Sequence, residues 1–470
     1  MITVFLNRKE KKPLYIQLYE YLRDEIENNT LKKGEKLPSK RELAVHLKIS
    51  QMTIEAAYQQ LAVEGYIIAK PRSGFFVQEA NFKHPFYPKN KITLKTKEKS
   101  VESKKYILKT NSVDLSLFPF STWAKLARQV LNEHKVSILN ESHPQGNVAL
   151  RQEIANYLYQ FRGMTVAADQ IIIGSGTEVL MNLVIQLIGK EKTYGIETPG
   201  YEKIYRILKN NQVNYVGIPL DNNGIAIPFL EKEDINVLHV TPSHQFPTGI
   251  IMPIKRRLEI LHWANEKDNR FIVEDDYDSE FRFNGQPIPT LKSRDSQKVI
   301  YFNSFSKSLA PSFRINYMIL PSCLIEKFQK QMIIYGCSVP SLEQFILVEF
   351  LKGGYFIQHL NRVKNRYKNK LHLFLESFQK SAISSFIQIS GYDGGLHFIM
   401  EIQKRISALK LCKLLAEKQI IVQEISDYYY FKKSNLLYPT LVIGYSGIVI
   451  EDIKMVCEEI IQTILFMEEE

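Results

Sequence analysis

The sequence predicts an α/β protein in two parts, a small helical module at the N-terminus and a large domain built on a mainly parallel sheet. Three observations carry this. Residues 1–79 show helix-period apolar stripes closing on two short strands, a lysine-rich stretch with prolines follows, and amphipathic helices then alternate with short β-rich runs. With 470 residues and 45% hydrophobic content, the chain is long and apolar enough for about three ~150-residue units, so a globular multidomain protein is expected. No apolar run approaches the ~20 residues that cross a bilayer. Residues 1–8 are too short an apolar stretch for a signal peptide's core, so the expectation is a soluble, cytoplasmic protein without a membrane partner. Cys323, Cys337, Cys412 and Cys457 lack metal or redox spacing and read as reduced, buried small residues.

Leu14, Ile16, Leu18, Tyr19, Leu22 and Ile26 form a mostly helical stripe that breaks at Asn28-Asn29 and Lys33-Gly34. After Pro38, Ser39 and Glu42 have the S-x-x-E spacing of a capping box, and a short helix with Leu43, Ala44 and Leu47 follows. Ser50 supplies a second N-cap. Ile54, Ala57, Tyr58 and Leu61 then fall at i, i+3, i+4 and i+7, leaving Gln51, Met52, Thr53, Glu55 and Gln59 on the polar face. Residues 65–69 and 74–77 read as strands around the basic tip Lys70-Pro71-Arg72-Ser73. A polar-faced helix beside a basic wing suits a major groove and its flanking phosphates, so double-stranded DNA is the expected partner.

Between Asn81 and Thr110 nine lysines stand against two glutamates, which places +7 of the chain's +11 in this stretch. Pro85, Pro88 and the lack of apolar periodicity make it a solvated linker, with contact to DNA phosphates as the second reading.

In the large domain, residues 170–174, 236–240, 270–274 and 298–302 are β-rich with helical patterns between them, which predicts a mainly parallel sheet with its site at the strands' carboxyl ends. Polar groups follow three of these runs: Gly174-Ser-Gly-Thr177, Glu274-Asp-Asp-Tyr277 and Ser304-Phe-Ser-Lys307. A lysine that forms Schiff bases must lose its proton, which a desolvated, cation-rich pocket promotes. Lys307 stands seven residues before Arg314, a fixed cation suited to bidentate phosphate binding. The acidic run offers a carboxylate to a protonated pyridine nitrogen, and the Gly-Ser-Gly-Thr turn opens a helix whose amides suit a phosphate.

The runs Pro13-Leu-Tyr-Ile-Gln17, Gly34-Glu-Lys-Leu-Pro-Ser39, Arg41-Glu-Leu-Ala44, Glu64-Gly-Tyr66 and Ser73-Gly-Phe-Phe-Val77 resemble the GntR-type winged helix-turn-helix. That resemblance implies DNA contacts from Ser39, Arg41, Ser50, Gln51, Thr53 and Arg72. Gln51 stands where many relatives carry arginine, and glutamine suits adenine's edge where arginine prefers guanine. From about Leu115 onward, the three polar runs together with Pro199-Gly-Tyr201 and Pro247-Thr-Gly249 resemble a fold type I aminotransferase dependent on pyridoxal 5′-phosphate. The two joined are similar to MocR/GabR-type transcriptional regulators.

The resemblance implies a DNA-binding domain at 1–79, a linker at 80–111 and an effector domain at 112–470. Lys307 would carry the cofactor as a Schiff base, Asp275 would face the ring nitrogen, Tyr277 the ring hydroxyl, and Tyr201 would stack on the ring. Ser175, Gly176, Thr177, Ser304, Ser306 and Arg314 would hold the phosphate, and Lys203 stands where GabR-type chains have an effector-binding arginine. It further implies a head-to-tail homodimer sensing a small amine or amino acid, 4-aminobutyrate-like, through an external aldimine. A regulator of vitamin B6 supply and a working aminotransferase are the other readings. Phe246 replaces the asparagine that aminotransferases carry before Pro-Thr-Gly, and no arginine follows Arg405, leaving Lys432 or Lys433 as substitutes. Both departures point toward a sensor.

Overall fold

The winged module is built from local caps and one small core. In the computed structural model, which describes residues 2, 4–8, 12–78, 106–110, 112–283, 285, 288–431 and 436–467, contacts divide the chain into units 1–100 and 101–470. The first unit contains α1 (Leu14–Glu27), α2 (Lys40–Leu47), α3 (Gln51–Val63), β1 (Ile67–Lys70) and β2 (Gly74–Val77). Both halves of the capping box form: Glu42 N–H donates to Ser39 Oγ at 3.2 Å, and Ser39 N–H to Glu42 Oε2 at 3.0 Å. Lys48, left-handed at φ 54°, ends α2, and Ser50 Oγ accepts from Thr53 N–H at 3.1 Å to start α3. Leu18, Leu22, Leu43, Ile54, Tyr58, Leu61, Ile67 and Val77 are buried together. β1 starts at Ile67, two residues later than the pattern predicts, because Gly65 (φ 80°) and Tyr66 complete the turn after α3, with Tyr66 N–H on Leu61 O.

The second unit centres on an eight-stranded sheet. Its strands are β4 (Ile171–Gly174), β5 (Thr193–Thr198), β6 (Asn214–Asp221), β7 (Gly224–Ile225), β8 (Val237–Val240), β9 (Phe271–Asp275), β10 (Val299–Ser304) and β11 (Asn316–Ile319), after a short β3 (Tyr106–Ile107) outside it. The spatial order is β4-β11-β10-β9-β8-β5-β6-β7. The centre, from β10 through β9, β8 and β5 to β6, is parallel, and antiparallel partners close both edges. A second sheet, antiparallel and four-stranded, contains residues 387–390, 397–402, 440–444 and 423–424. Apolar runs on the central strands are buried on both faces, as helix-covered parallel sheets require.

Two sequence expectations change. Of the stretch read as linker, residues 80–105 and 111 lie outside the described residues, but 106–110 are built into the second unit. There β3 pairs in parallel with residues 420–421, and Leu108 is fully buried; two apolar alternations are too few to announce a strand. The cysteines are free thiols, but only Cys457 is buried, while Cys323 is exposed on the first turn of the helix Ser322–Gln331, whose core side carries Leu324, Ile325 and Phe328. Among the described residues, no helix is long and apolar enough to cross a membrane.

Candidate functional site

Turns at the carboxyl ends of β5, β8, β9 and β10 converge with the start of the helix Thr177–Ile188 on one cavity of about 200 Å³. Eight of the ten sequence-proposed cofactor residues line it: Thr177, Tyr201, Asp275, Tyr277, Ser304, Ser306, Lys307 and Arg314. Lys203 lines it as well. Ser175 and Gly176 do not. Ser175 spends its amide on Ser338 Oγ at 2.9 Å, and Gly176 lies behind Arg314, whose Nη2 occupies the space a side chain at Gly176 would need.

Lys307 sits in the turn after β10, and its Nζ donates to Thr110 O at 2.5 Å. Burial lowers its pKa from 10.5 to about 8, against the pull of Asp278, which favours the charged form. Asp275 ends β9 with its carboxylate toward the cavity and 3.6 Å from His239 Nε2, a buried nitrogen without a hydrogen-bond partner among the described residues. Its strand neighbours point the other way. Glu274 accepts the amides of Leu291 and Lys292 at 2.8 and 2.9 Å, and Asp276 accepts from Tyr301 Oη and Arg162. Burial, reinforced by Asp276, raises Glu274 and Glu280 to about 7. The strand's two-residue period thus separates a cavity-facing carboxylate from a buried acid cluster.

Tyr277 donates to His244 O at 3.1 Å, and His244 Nδ1 lies 2.9 Å from Asp278 Oδ2. Burial opposes protonation of His244, but Asp278 reverses the balance and raises its pKa. Phe246 is ringed by Tyr201, Tyr277 and Tyr428, at centroid distances of 5.5, 6.0 and 5.2 Å. An aromatic box therefore stands where an asparagine would have offered an amide.

At the other end of the cavity, the Glu178 carboxylate reaches both cations, contacting Arg314 and lying 3.3 Å from Lys203 Nζ. The donor set fits a phosphorylated pyridine aldehyde: a desolvated lysine, a buried carboxylate, a phenol, and an anion cradle that the chain's own carboxylate already occupies. Sequence reading missed His239, His244, Asp278, Glu178 and Thr110. The first four stand within or beside the runs it singled out, whereas Thr110 carried no signal. Lys432 and Lys433 lie outside the described residues.

In the first unit, Arg41, Gln51 and Arg72 are exposed, Arg72 at the wing tip with φ 60°. The hydroxyls of Ser39 and Ser50 are engaged as caps, and Thr53 Oγ1 lies 2.8 Å from Ser50 Oγ.

A module of this shape joined to this α/β domain defines a helix-turn-helix protein with an aminotransferase-like domain. Residues 14–77 match the family described as bacterial regulatory proteins, gntR family. The chain is 38% identical to the HTH-type transcriptional regulator YdeL of Bacillus subtilis (strain 168), covering 96% of this chain and 97% of that protein. It is 27% identical to the probable rhizopine catabolism regulatory protein MocR of Rhizobium meliloti, over 94% and 92%. Among solved structures it is similar to the multiple substrate aminotransferase of Thermococcus profundus, at 24% identity and a TM-score of 0.68, over 81% of this chain and 97% of that one. The chain belongs to the MocR-type, GntR-family transcriptional regulators.

Proposed function

We propose that the effector domain holds pyridoxal 5′-phosphate on Lys307 and responds to a small amine or amino acid, 4-aminobutyrate-like, by changing how the N-terminal module binds operator DNA. The observation that carries this is Lys307, a half-buried lysine whose desolvated amine has a pKa of about 8, in one cavity with Asp275, Tyr277, Thr177 and Arg314. Bound there, the cofactor supplies an electrophilic aldehyde carbon to which amines add. At pH 7 a pKa near 8 leaves about a tenth of Lys307 as free amine, against roughly one in three thousand for an ordinary lysine. Asp275 would hold a proton on the ring nitrogen, Tyr277 would hydrogen-bond the ring oxygen, and Tyr201 would cover the ring face. Ser304, Ser306, Thr177 and Arg314, with Ser175 and Gly176 behind them, would hold the phosphate.

Phe246 supports sensing over turnover, since its ring cannot replace the asparagine amide's hydrogen bond. Effector binding changes DNA affinity only if the ligand binds two conformations unequally. The bond from Lys307 to Thr110 supports such coupling, because Thr110 directly follows the basic stretch and loses this donor whenever Lys307 turns to another partner. The reading assigns 1–79 to DNA, 80–111 to the linker, of which 106–110 are already built into the sensing unit, and 112–470 to sensing, in a cytoplasmic head-to-tail homodimer that presents two modules to paired half-sites. Ser39, Arg41, Ser50, Gln51, Thr53 and Arg72 would meet the operator, and Lys203 the effector.

The test is a titration with amines, amino acids and cofactor forms, with absorbance and operator affinity followed together. An amine that moves both supports the sensor. Steady turnover of an amino donor with a keto acid would make it an aminotransferase, and a response to cofactor alone would make it a regulator of vitamin B6 supply.

A further inference from the structure

Glu178 is the second residue of the helix Thr177–Ile188, and its side chain turns back over that helix's own start. A methyl carbon on Gly176 would lie 2.7 Å from Glu178 Oε2 and collide with Arg314 Nη2. One carboxylate oxygen contacts Arg314, and the other lies 3.3 Å from Lys203 Nζ. Among the described residues, Glu178 is the carboxylate ion-paired with either cation, and both cations line the Lys307 cavity. The helix start, Gly176 and Arg314 together form an anion cradle with the chain's own anion in it.

We propose that Glu178 is an internal anion that competes with the cofactor's phosphate for Arg314 and, while it stays there, also occupies Lys203, and so sets how tightly and how selectively the cavity holds the phosphorylated cofactor. This rests on the cofactor reading given above. A phosphate carries about −1.5 to −2 at neutral pH, so it and the Glu178 carboxylate cannot share these two cations without repulsion. The phosphate must displace Glu178 from Arg314 before it can settle. Once displaced, Glu178 also leaves Lys203, and an ammonium lining the cavity becomes available for an acidic group on the effector. Cofactor loading and effector recognition are then linked through one side chain. The same competition weakens cofactor retention, which makes occupancy follow supply.

Because Glu178, Arg314 and Lys203 are all about two-fifths exposed, water screens the pairs and the competition is modest. The test uses full-length protein stripped of cofactor, wild type and Glu178→Gln, titrated with pyridoxal 5′-phosphate and with unphosphorylated pyridoxal while the absorbance of the lysine-linked species is followed. Glu178→Gln should tighten the phosphorylated aldehyde roughly fivefold and leave pyridoxal nearly unchanged. Inorganic phosphate should raise the melting temperature of the stripped variant more than that of the stripped wild type. Unchanged or reduced preference for the phosphorylated form, with no added phosphate response, would overturn the competition and leave Glu178 as a brace for Arg314. If neither aldehyde alters the wild-type spectrum, the cofactor reading falls with it.

Discussion

Between Ser39 and Arg72, the proposed DNA-reading groups are exposed apart from the half-buried Thr53, and each is held by its own stretch of chain: Ser39 and Ser50 by their helix caps, Arg72 by a hairpin tip. The Lys307 cavity is assembled instead from residues between Thr110 and Asn316, brought together by strands that are neighbours in space and distant in sequence. The first region leaves its charged groups open to water. The second removes water, and the consequence is a lysine at about 8, a raised histidine in His244 and tyrosine hydroxyls pushed up by burial at Tyr201 and Tyr277. Recognition of a polyanion needs accessible cations, whereas capture of an aldehyde needs a cation that has given up its charge.

The largest expected effect tests whether these regions separate. Lys307→Ala should abolish the absorbance near ~420 nm expected of lysine-linked cofactor and remove the effector response, while DNA binding without effector persists. A normal response in this variant would break the lysine switch. The converse change is Leu61→Ala, which empties the centre of the small core and should cost the first unit about 2–5 kcal/mol. Denaturant unfolding followed by operator binding should show that loss, with the cofactor absorbance retained.

A smaller effect sharpens the electrostatic half of the contrast. Lys307 gains reactivity as it deprotonates, so the rate of cofactor capture by stripped protein should rise with pH through about 8. Asp278 holds the proton on Lys307, and Asp278→Asn should therefore move that rise to lower pH. A shift to higher pH, or none, would show that Asp278 acts only on His244. The smallest change is expected at the surface. Arg41→Ala should weaken operator binding and lower the slope of log affinity against log salt by about 1 if its contact is to a phosphate. An unchanged affinity and slope would remove Arg41 from the reading face.

The motif Ser39-x-x-Glu42 announced its helix start because a capping box is satisfied within four residues, and the i, i+3, i+4, i+7 stripe from Ile54 to Leu61 announced a buried face for the same local reason. The β-rich runs likewise marked strands to within a residue or two, although Tyr106–Ile107 escaped notice because its partner, Ile420–Ile421, is more than three hundred residues away. Lys307, Asp275, Tyr277 and Arg314 were legible as candidates because their turns follow recognisable strands. Their meeting in one cavity was not written in any of those turns.

Sequence by itself determined the helices and caps of the winged module, its two strands, four strands of the large sheet and the chemical types offered after three of them, since these depend on neighbours within a few residues. Tertiary structure decided which charges meet. It placed Glu178 across Arg314 and Lys203, set Thr110 O against Lys307, lined up His244 with Asp278 and Tyr277, and turned Asp275 to the cavity with Glu274 and Asp276 away from it. Charge and hydrogen-bond energies depend on distance and on the exclusion of water, and neither quantity exists until separate strands close around the same space.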